Sequence, residues 1–223
     1  MYATGKTNKN LALFDFDGTL YNKDSFTGFI FYALKKRQIV RRGIKIIPWV
    51  QAYYLNIYPA HAMRARLFNV MFRNADFSEI QALAHEYAKE LPAHFNTELF
   101  RQLLQHQQQG DDVVLVSASV SLYLSAVCEM LDIDLICTEP EIKNDKLTGL
   151  YSTADCSCEQ KKIRVTDKYD LSSYRHIYAY GNSHEDLDML ELAHHPYMVG
   201  ESSQLPSLRT QFSITDRETD EAV

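Results

Sequence analysis

Two aspartates one residue apart, Asp15 and Asp17, close the apolar run in "LALFDFDGTLYNKDS" and are followed at once by Gly18 and Thr19. Carboxylates at the end of a buried strand do not serve stability, because an unpaired buried charge is heavily penalised. Residues i and i+2 share one face of an extended chain, so both side chains can reach a single site. Carboxylates that close repel unless a cation lies between them or one holds a proton. A hard cation such as Mg²⁺ suits those oxygens.

Three further stretches offer complementary chemistry. In Val116-Ser117-Ala118-Ser119 a hydroxyl and backbone N–H groups at the start of a helix make an anion site, with Ser119 expected as the helix N-cap. In Tyr180-Gly181-Asn182-Ser183-His184-Glu185-Asp186, Asn182 and Asp186 offer oxygens for the far side of a metal site. In "DCSCEQKKIRV", Lys161 or Lys162 early in a helix would balance charge on a transferring phosphoryl group.

The elements that must position these residues follow from the hydrophobic pattern. "NLALFDF", "DVVLVS", "IDLICTE", "RHIYAYG" and "HPYMVG" are short, nearly continuous apolar runs. They are separated by helical patterns, "NTELFRQLLQHQQQG", "SLYLSAVCEMLD", "CEQKKIRVTDKY" and "HEDLDMLELA", with Gly110 ending the first. This alternation predicts an α/β fold, a Rossmann-like parallel sheet flanked by helices. Ligands of such sheets bind beyond the carboxyl ends of the strands, so the motif-bearing ends converge. The stretch between the first strand and "DVVLVS" is too long for one crossover and shows helical spacing without clear strands. It predicts a helical insert over residues 24–93, with residues 1–23 and 94–223 forming the core.

Composition narrows the class. A chain of 223 residues with 46% hydrophobic and 23% charged residues is an ordinary soluble globular protein, with polar ends at Met1–Asn10 and from Thr215. No secretory pattern opens it, and Cys128, Cys137, Cys156 and Cys158 show no disulfide framework, which predicts reduced thiols in a cytoplasmic protein. The net charge of −6 is uneven: Lys23 to Arg73 holds ten Lys/Arg and one acid, Asp24. That segment suits an anionic partner or a solvated helical surface. The uncharged stretch from Ile46 to Met63 is broken by Pro48, Gln51, Asn56, Pro59 and His61, so a transmembrane span is rejected. Trp49, Tyr53, Tyr54 and Tyr58 beside the basic cluster suit a buried or substrate-lining role, or peripheral contact with a membrane surface. The insert carries no nucleic-acid motif, and no nucleic-acid partner is expected.

"DFDGTL", "VSAS", "CSCEQK" and "GNSHEDLDML", in this order, resemble the four motifs of the haloacid-dehalogenase-like phosphohydrolase superfamily. The helical insert after the first strand is similar to the cap of its phosphoserine-phosphatase-like branch. The resemblance implies that Asp15 is a nucleophile forming an aspartyl-phosphate and Asp17 the general acid and base. It implies that Ser117 and the Ala118 backbone bind phosphoryl oxygens and that Lys161 is the site lysine. It further implies Mg²⁺ held by Asp15, the Asp17 carbonyl, Asn182 and Asp186. Asn182 departs from the family's usual Gly-Asp, which implies weaker metal binding offset in part by Glu185. The expected substrate is a small amino-alcohol phosphate, phosphoserine- or histidinol-phosphate-like, read by Asp24 with Arg64 for an anionic group, or a lipid phosphate. A phosphomutase and a catalytically weakened phosphate- or metal-binding protein are the alternatives.

Overall fold

In the computed structural model, which describes residues 9–37 and 60–208, the apolar run Leu11–Phe14 forms β1 and is wholly buried. It lies at the centre of a five-stranded sheet with β3 (Asp112–Val120), β4 (Asp134–Thr138), β7 (Ile177–Gly181) and β8 (His195–Met198). The order is β4-β3-β1-β7-β8 and every pairing is parallel. The predicted α/β class and all five predicted strands are therefore present.

Both faces of the sheet are covered, which is why its strands read as continuous apolar runs rather than as an alternation. Ala12 and Phe14 pack on one side with Leu115, Tyr178 and Tyr180. Leu11 and Leu13 pack on the other with Val114, Val116, Ile177 and Ala179. On the first face lie α1 (Ser25–Arg37), α4 (Thr97–Gln108) and α5 (Ser121–Leu131), and α2 (Ala60–Phe72) and α3 (Phe77–Ala88) extend the same apolar cluster outward, α2 against α1 and α3 against α1 and α5. The second is covered by α6 (Glu159–Lys168) and the short α7 (Leu187–Leu190). Asn96 caps the start of α4 by accepting from the Glu98 and Leu99 amides, and Gly110 follows its end at φ +75°.

One element escaped the sequence reading. Pro140–Lys143 (β5) and Lys146–Tyr151 (β6) form a hairpin whose two turn residues, Asn144 and Asp145, both have positive φ. That is the turn geometry matched to strand twist, and Asn and Asp tolerate it. Ala75–Asp76 (β2) adds antiparallel to β6, giving a second sheet in the order β2-β6-β5. The insert therefore does contain a strand, contrary to expectation. It is two residues long and has no alternating pattern to reveal it. Gly149, at φ +84°, lets α2 cross β6 closely, since a Cβ there would lie 2.9 Å from that of Arg73.

The expectations for Arg41, Arg42, Lys45, Trp49, Tyr53, Tyr54, Tyr58 and both chain ends fall outside the described residues. Among the described residues, no helix is long and apolar enough to cross a membrane.

Candidate active site

Strand register sets the site. Phe14 pairs with Leu115 on one side and Tyr180 on the other, so Asp15 emerges level with Val116 and Gly181. Its amide still bonds the Tyr180 carbonyl at 2.9 Å, which holds the carboxylate at the edge of the sheet. Lys161 Nζ donates to Asp15 Oδ1 at 2.6 Å, to Asp186 Oδ1 at 2.6 Å and to the Val116 carbonyl at 3.0 Å. Those three bonds use all the donors of an ammonium group. Thr19 Oγ1 donates to Asp15 Oδ2 at 2.8 Å. Burial raises Asp15 to about 6 against the pull of Lys161. Burial would lower Lys161, but Asp15 and Asp186 more than reverse that and keep it protonated.

Asp17 is held differently. The Ser25 amide donates to Oδ1 and Ser119 Oγ to Oδ2, each at 2.6 Å. Burial, and next the Asp24 carboxylate, raise it to about 7. Ser25 Oγ lies 2.9 Å from the Tyr123 hydroxyl, and the Tyr87 hydroxyl donates to the Ser25 carbonyl, so α3 and α5 brace this contact. Ser119 is therefore not the expected helix cap. Strand β3 continues through it to Val120, which takes the N-cap position without a side-chain bond. Gly18, at φ +80°, allows the turn between the aspartates and Asn182, because a Cβ there would sit 2.1 Å from the Asn182 amide nitrogen.

Asp186 closes a capping box with Ser183. Its Oδ2 accepts from the Asn182 and Ser183 amides at 3.0 Å each and from Ser183 Oγ at 3.2 Å. Burial acts to raise Asp186, but Lys161 and those amides bring it below its ordinary value. Ser117 Oγ accepts from the Ser119 amide at 3.1 Å, which leaves its own proton for a ligand.

All nine candidate residues, Asp15, Asp17, Asp24, Arg64, Ser117, Ala118, Lys161, Asn182 and Asp186, line one cavity of about 460 Å³. Phe26, Met63 and Leu67 give it an apolar wall. Lys161, rather than Lys162, reaches the centre; Lys162 pairs with Glu191 at the surface. Asp24 accepts from the amide and hydroxyl of Thr27 at 2.9 and 2.8 Å, in the manner of a cap for α1, and retains lone pairs toward the cavity. Arg64 is buried rather than on a helix surface, and Asp155 and Glu185 flank it. Glu185, expected to lend charge to a cation, directs both carboxylate oxygens to Arg64 instead.

The oxygen set fits a hard cation. Asp15 Oδ2 and Asn182 Oδ1 both lie within reach of the Thr19 hydroxyl, at 2.8 and 3.4 Å. Among the described residues no three His, Cys, Asp or Glu side chains form a ready metal cage. A cation here would draw on an amide oxygen and a backbone carbonyl beside Asp15. Sequence reasoning missed Thr19, Ser25, Ser119 and Asp155 as partners of these groups. Thr19 stood inside the first motif and Ser119 inside the second, where its type suggested a helix cap; Ser25 and Asp155 lay at the ends of the motif-bearing stretches with no spacing that marks them.

A family model described as haloacid dehalogenase-like hydrolase matches residues 12–191. A histidinol-phosphatase of Neisseria meningitidis is 28% identical over 217 residues, covering 88% of this chain and 93% of its own. A solved structure of a Bordetella pertussis protein of unknown function superposes with a TM-score of 0.73 at 23% identity, covering 86% of this chain and 90% of that one. A substrate-bound phosphoserine phosphatase gives 0.59 at 14% identity, covering 85% of each chain. The last two likenesses concern the fold.

Proposed function

Because this chain belongs to the haloacid dehalogenase-like hydrolase family and is an enzyme of its phosphatase type, we propose that it hydrolyses phosphomonoesters in a Mg²⁺-dependent reaction through an aspartyl-phosphate on Asp15. One observation carries the reading. Two carboxylates two residues apart meet at one cavity with different partners: Asp15 is clamped by the charged Lys161 and by Thr19, whereas Asp17 is held by two neutral donors, the Ser25 amide and the Ser119 hydroxyl, and is raised to about 7.

In the first step an Asp15 carboxylate oxygen forms a bond to phosphorus while the bond from phosphorus to the ester oxygen breaks. The departing alkoxide takes the Asp17 proton and leaves as the alcohol. In the second, Asp17, now ionised, removes a proton from water as that water attacks phosphorus. Asp15 is released as a carboxylate and inorganic phosphate forms. Lys161 stays charged throughout and offsets the negative charge gathered at Asp15 and the phosphoryl group. Ser117 and the Ala118 amide would orient the phosphoryl oxygens. Mg²⁺, held by Asp15, the Asp17 carbonyl and Asn182, would neutralise those oxygens when bound. Asp186, whose oxygens are engaged, suits contact through water.

Residues 24–93 act as a cap over the remaining catalytic core. The substrate is an amino-alcohol phosphate with Asp24 facing its amine, a choice supported by the likeness to a histidinol-phosphatase rather than by any lipid feature of the cavity. Phosphate release from histidinol phosphate, phosphoethanolamine, phosphoserine and a lysophospholipid phosphate, with Mg²⁺ present or chelated, tests it. Metal-dependent release that vanishes in Asp15→Asn is the expected result. No release from any ester by folded protein would overturn it.

A further inference from the structure

The cavity contains a cation that a substrate carboxylate would be expected to seek, Arg64, yet that cation is already satisfied. Its Nε and Nη2 donate to Asp155 at 2.9 and 2.8 Å, and its Nη1 and Nη2 donate to Glu185 at 3.3 and 3.2 Å. Four of its five N–H groups are therefore committed, in two fork-like pairs. The main chain that carries the two acids is held independently of Arg64. The Asp155 carbonyl accepts from the Ser157 amide, and the Glu185 carbonyl from the Cys158 amide, so one short segment holds both loops. Two carboxylates on one guanidinium leave this cluster net negative. Among the described residues that line the wall outside the catalytic centre, Lys23 and Arg64 balance Asp24 and Glu185, and Asp155, bonded to Arg64 from outside the lining, brings the sum to one negative charge.

We propose that this cluster is a specificity device: Arg64, neutralised by Asp155 and Glu185, makes the cavity reject phosphomonoesters whose alcohol part bears a carboxylate and accept those whose alcohol part is cationic or neutral. A substrate carboxylate would meet Glu185 and Asp24 across the cavity and find one N–H left on Arg64. To take more of Arg64 it would have to displace Asp155 or Glu185 from their forked bonds. An amine meets the same wall as attraction. The proposal rests on the phosphatase reading and refines it to a substrate class.

Phosphoethanolamine and phosphoserine differ only by a carboxylate, and 4-nitrophenyl phosphate serves as an uncharged reference. With wild-type protein, kcat/KM for phosphoethanolamine should exceed that for phosphoserine by about tenfold or more, as a like charge a few ångströms away requires. Asp155→Ala should narrow this ratio by about tenfold, mainly by improving phosphoserine. Glu185→Gln should narrow it in the same direction and covers the case that the first variant does not fold. Equal rates on the two esters in wild type would overturn the proposal, as would an unchanged ratio in a folded variant that still cleaves the reference ester. No cleavage of any of the three esters would instead overturn the phosphatase reading, and this proposal with it.

Discussion

Lys161 and Arg64 each stand between two carboxylates, and both cations line one cavity. They differ in how each cation is held. Lys161 is 1% exposed and directs three bonds to three different groups, two acids and a backbone carbonyl. Arg64 is 9% exposed and grips its acids side-on with a planar fork. A lysine is a compact charge whose donors can be re-aimed when a new anion arrives; an arginine fork matched to two carboxylates is already complete. On the proposed mechanism the first cluster receives a phosphoryl group and the second is left alone. A similar charge balance would then serve chemistry in one place and selectivity in the other.

The largest effect belongs to the first cluster. Asp15→Asn should lower turnover at least about 10⁴-fold, because an amide cannot form the phosphoenzyme. The fold should remain, since the amide oxygen can still accept from Lys161 and the amide NH₂ can donate to the Thr19 hydroxyl. Phosphate release beside a thermal melt checks both halves. Activity near wild type would break the distinction between the clusters.

Removing each cation compares them directly. At pH 8, Lys161→Met should destabilise the protein by about 3–5 kcal/mol, because it strands two buried carboxylates. Arg64→Met should cost less, about 1–3 kcal/mol, because water reaches its acids more easily. Urea unfolding of the two variants measures the difference. Equal losses would show that burial does not separate the clusters.

The clusters also differ in how far the sequence discloses them. Asp15, Asp186 and Lys161 belong to short motifs at strand ends and the start of a helix, and a parallel sheet gathers strand ends on one side whatever its loops do. The apolar runs that disclose the sheet disclose the site with it. Arg64 and Asp155 lie on α2 and in the loop after β6, and they meet because β2, which follows α2, pairs with β6 of the Asn144–Asp145 hairpin. That pairing rests on a two-residue strand and a turn of two non-glycine residues at positive φ, neither of which leaves a periodic trace. Ser119 shows the same limit locally. Its type suits a cap, and only the extra length of β3 turns its hydroxyl to Asp17.

A smaller effect is expected at the oxygen that departs from the usual family pattern. Asn182→Asp adds a negative charge beside Asp15 and should tighten Mg²⁺ about tenfold, or about 1.4 kcal/mol. Titration calorimetry on the Asp15-intact protein reads it without turnover. An unchanged affinity would remove position 182 from the metal site and shift that role toward Asp186.

The smallest effect separates Asp17 from Asp186, two acids of one site displaced in opposite directions. In metal-free protein Asp17 titrates at about 7 against an ordinary 3.8, so the fold binds its proton more tightly than the unfolded chain does. Ionising it within the fold therefore opposes stability. The penalty is absent below about pH 4, grows between about pH 4 and 7 and is complete above that. Asp17→Asn removes the ionisation while keeping an acceptor for Ser119 or Ser25. It should melt about 2–4 °C above wild type at pH 8 and within about 1 °C of it at pH 4. Asp186, whose ionised form is held by Lys161 and two amides, should behave in the opposite way: its stabilisation is present above its ordinary value and is lost on acidification. Asp186→Asn should therefore melt below wild type at pH 8. If Asp17→Asn also melted lower at pH 8, the Asp17 carboxylate would be favourably ionised in the fold, and it would enter the first chemical step without the proton that the leaving alcohol needs.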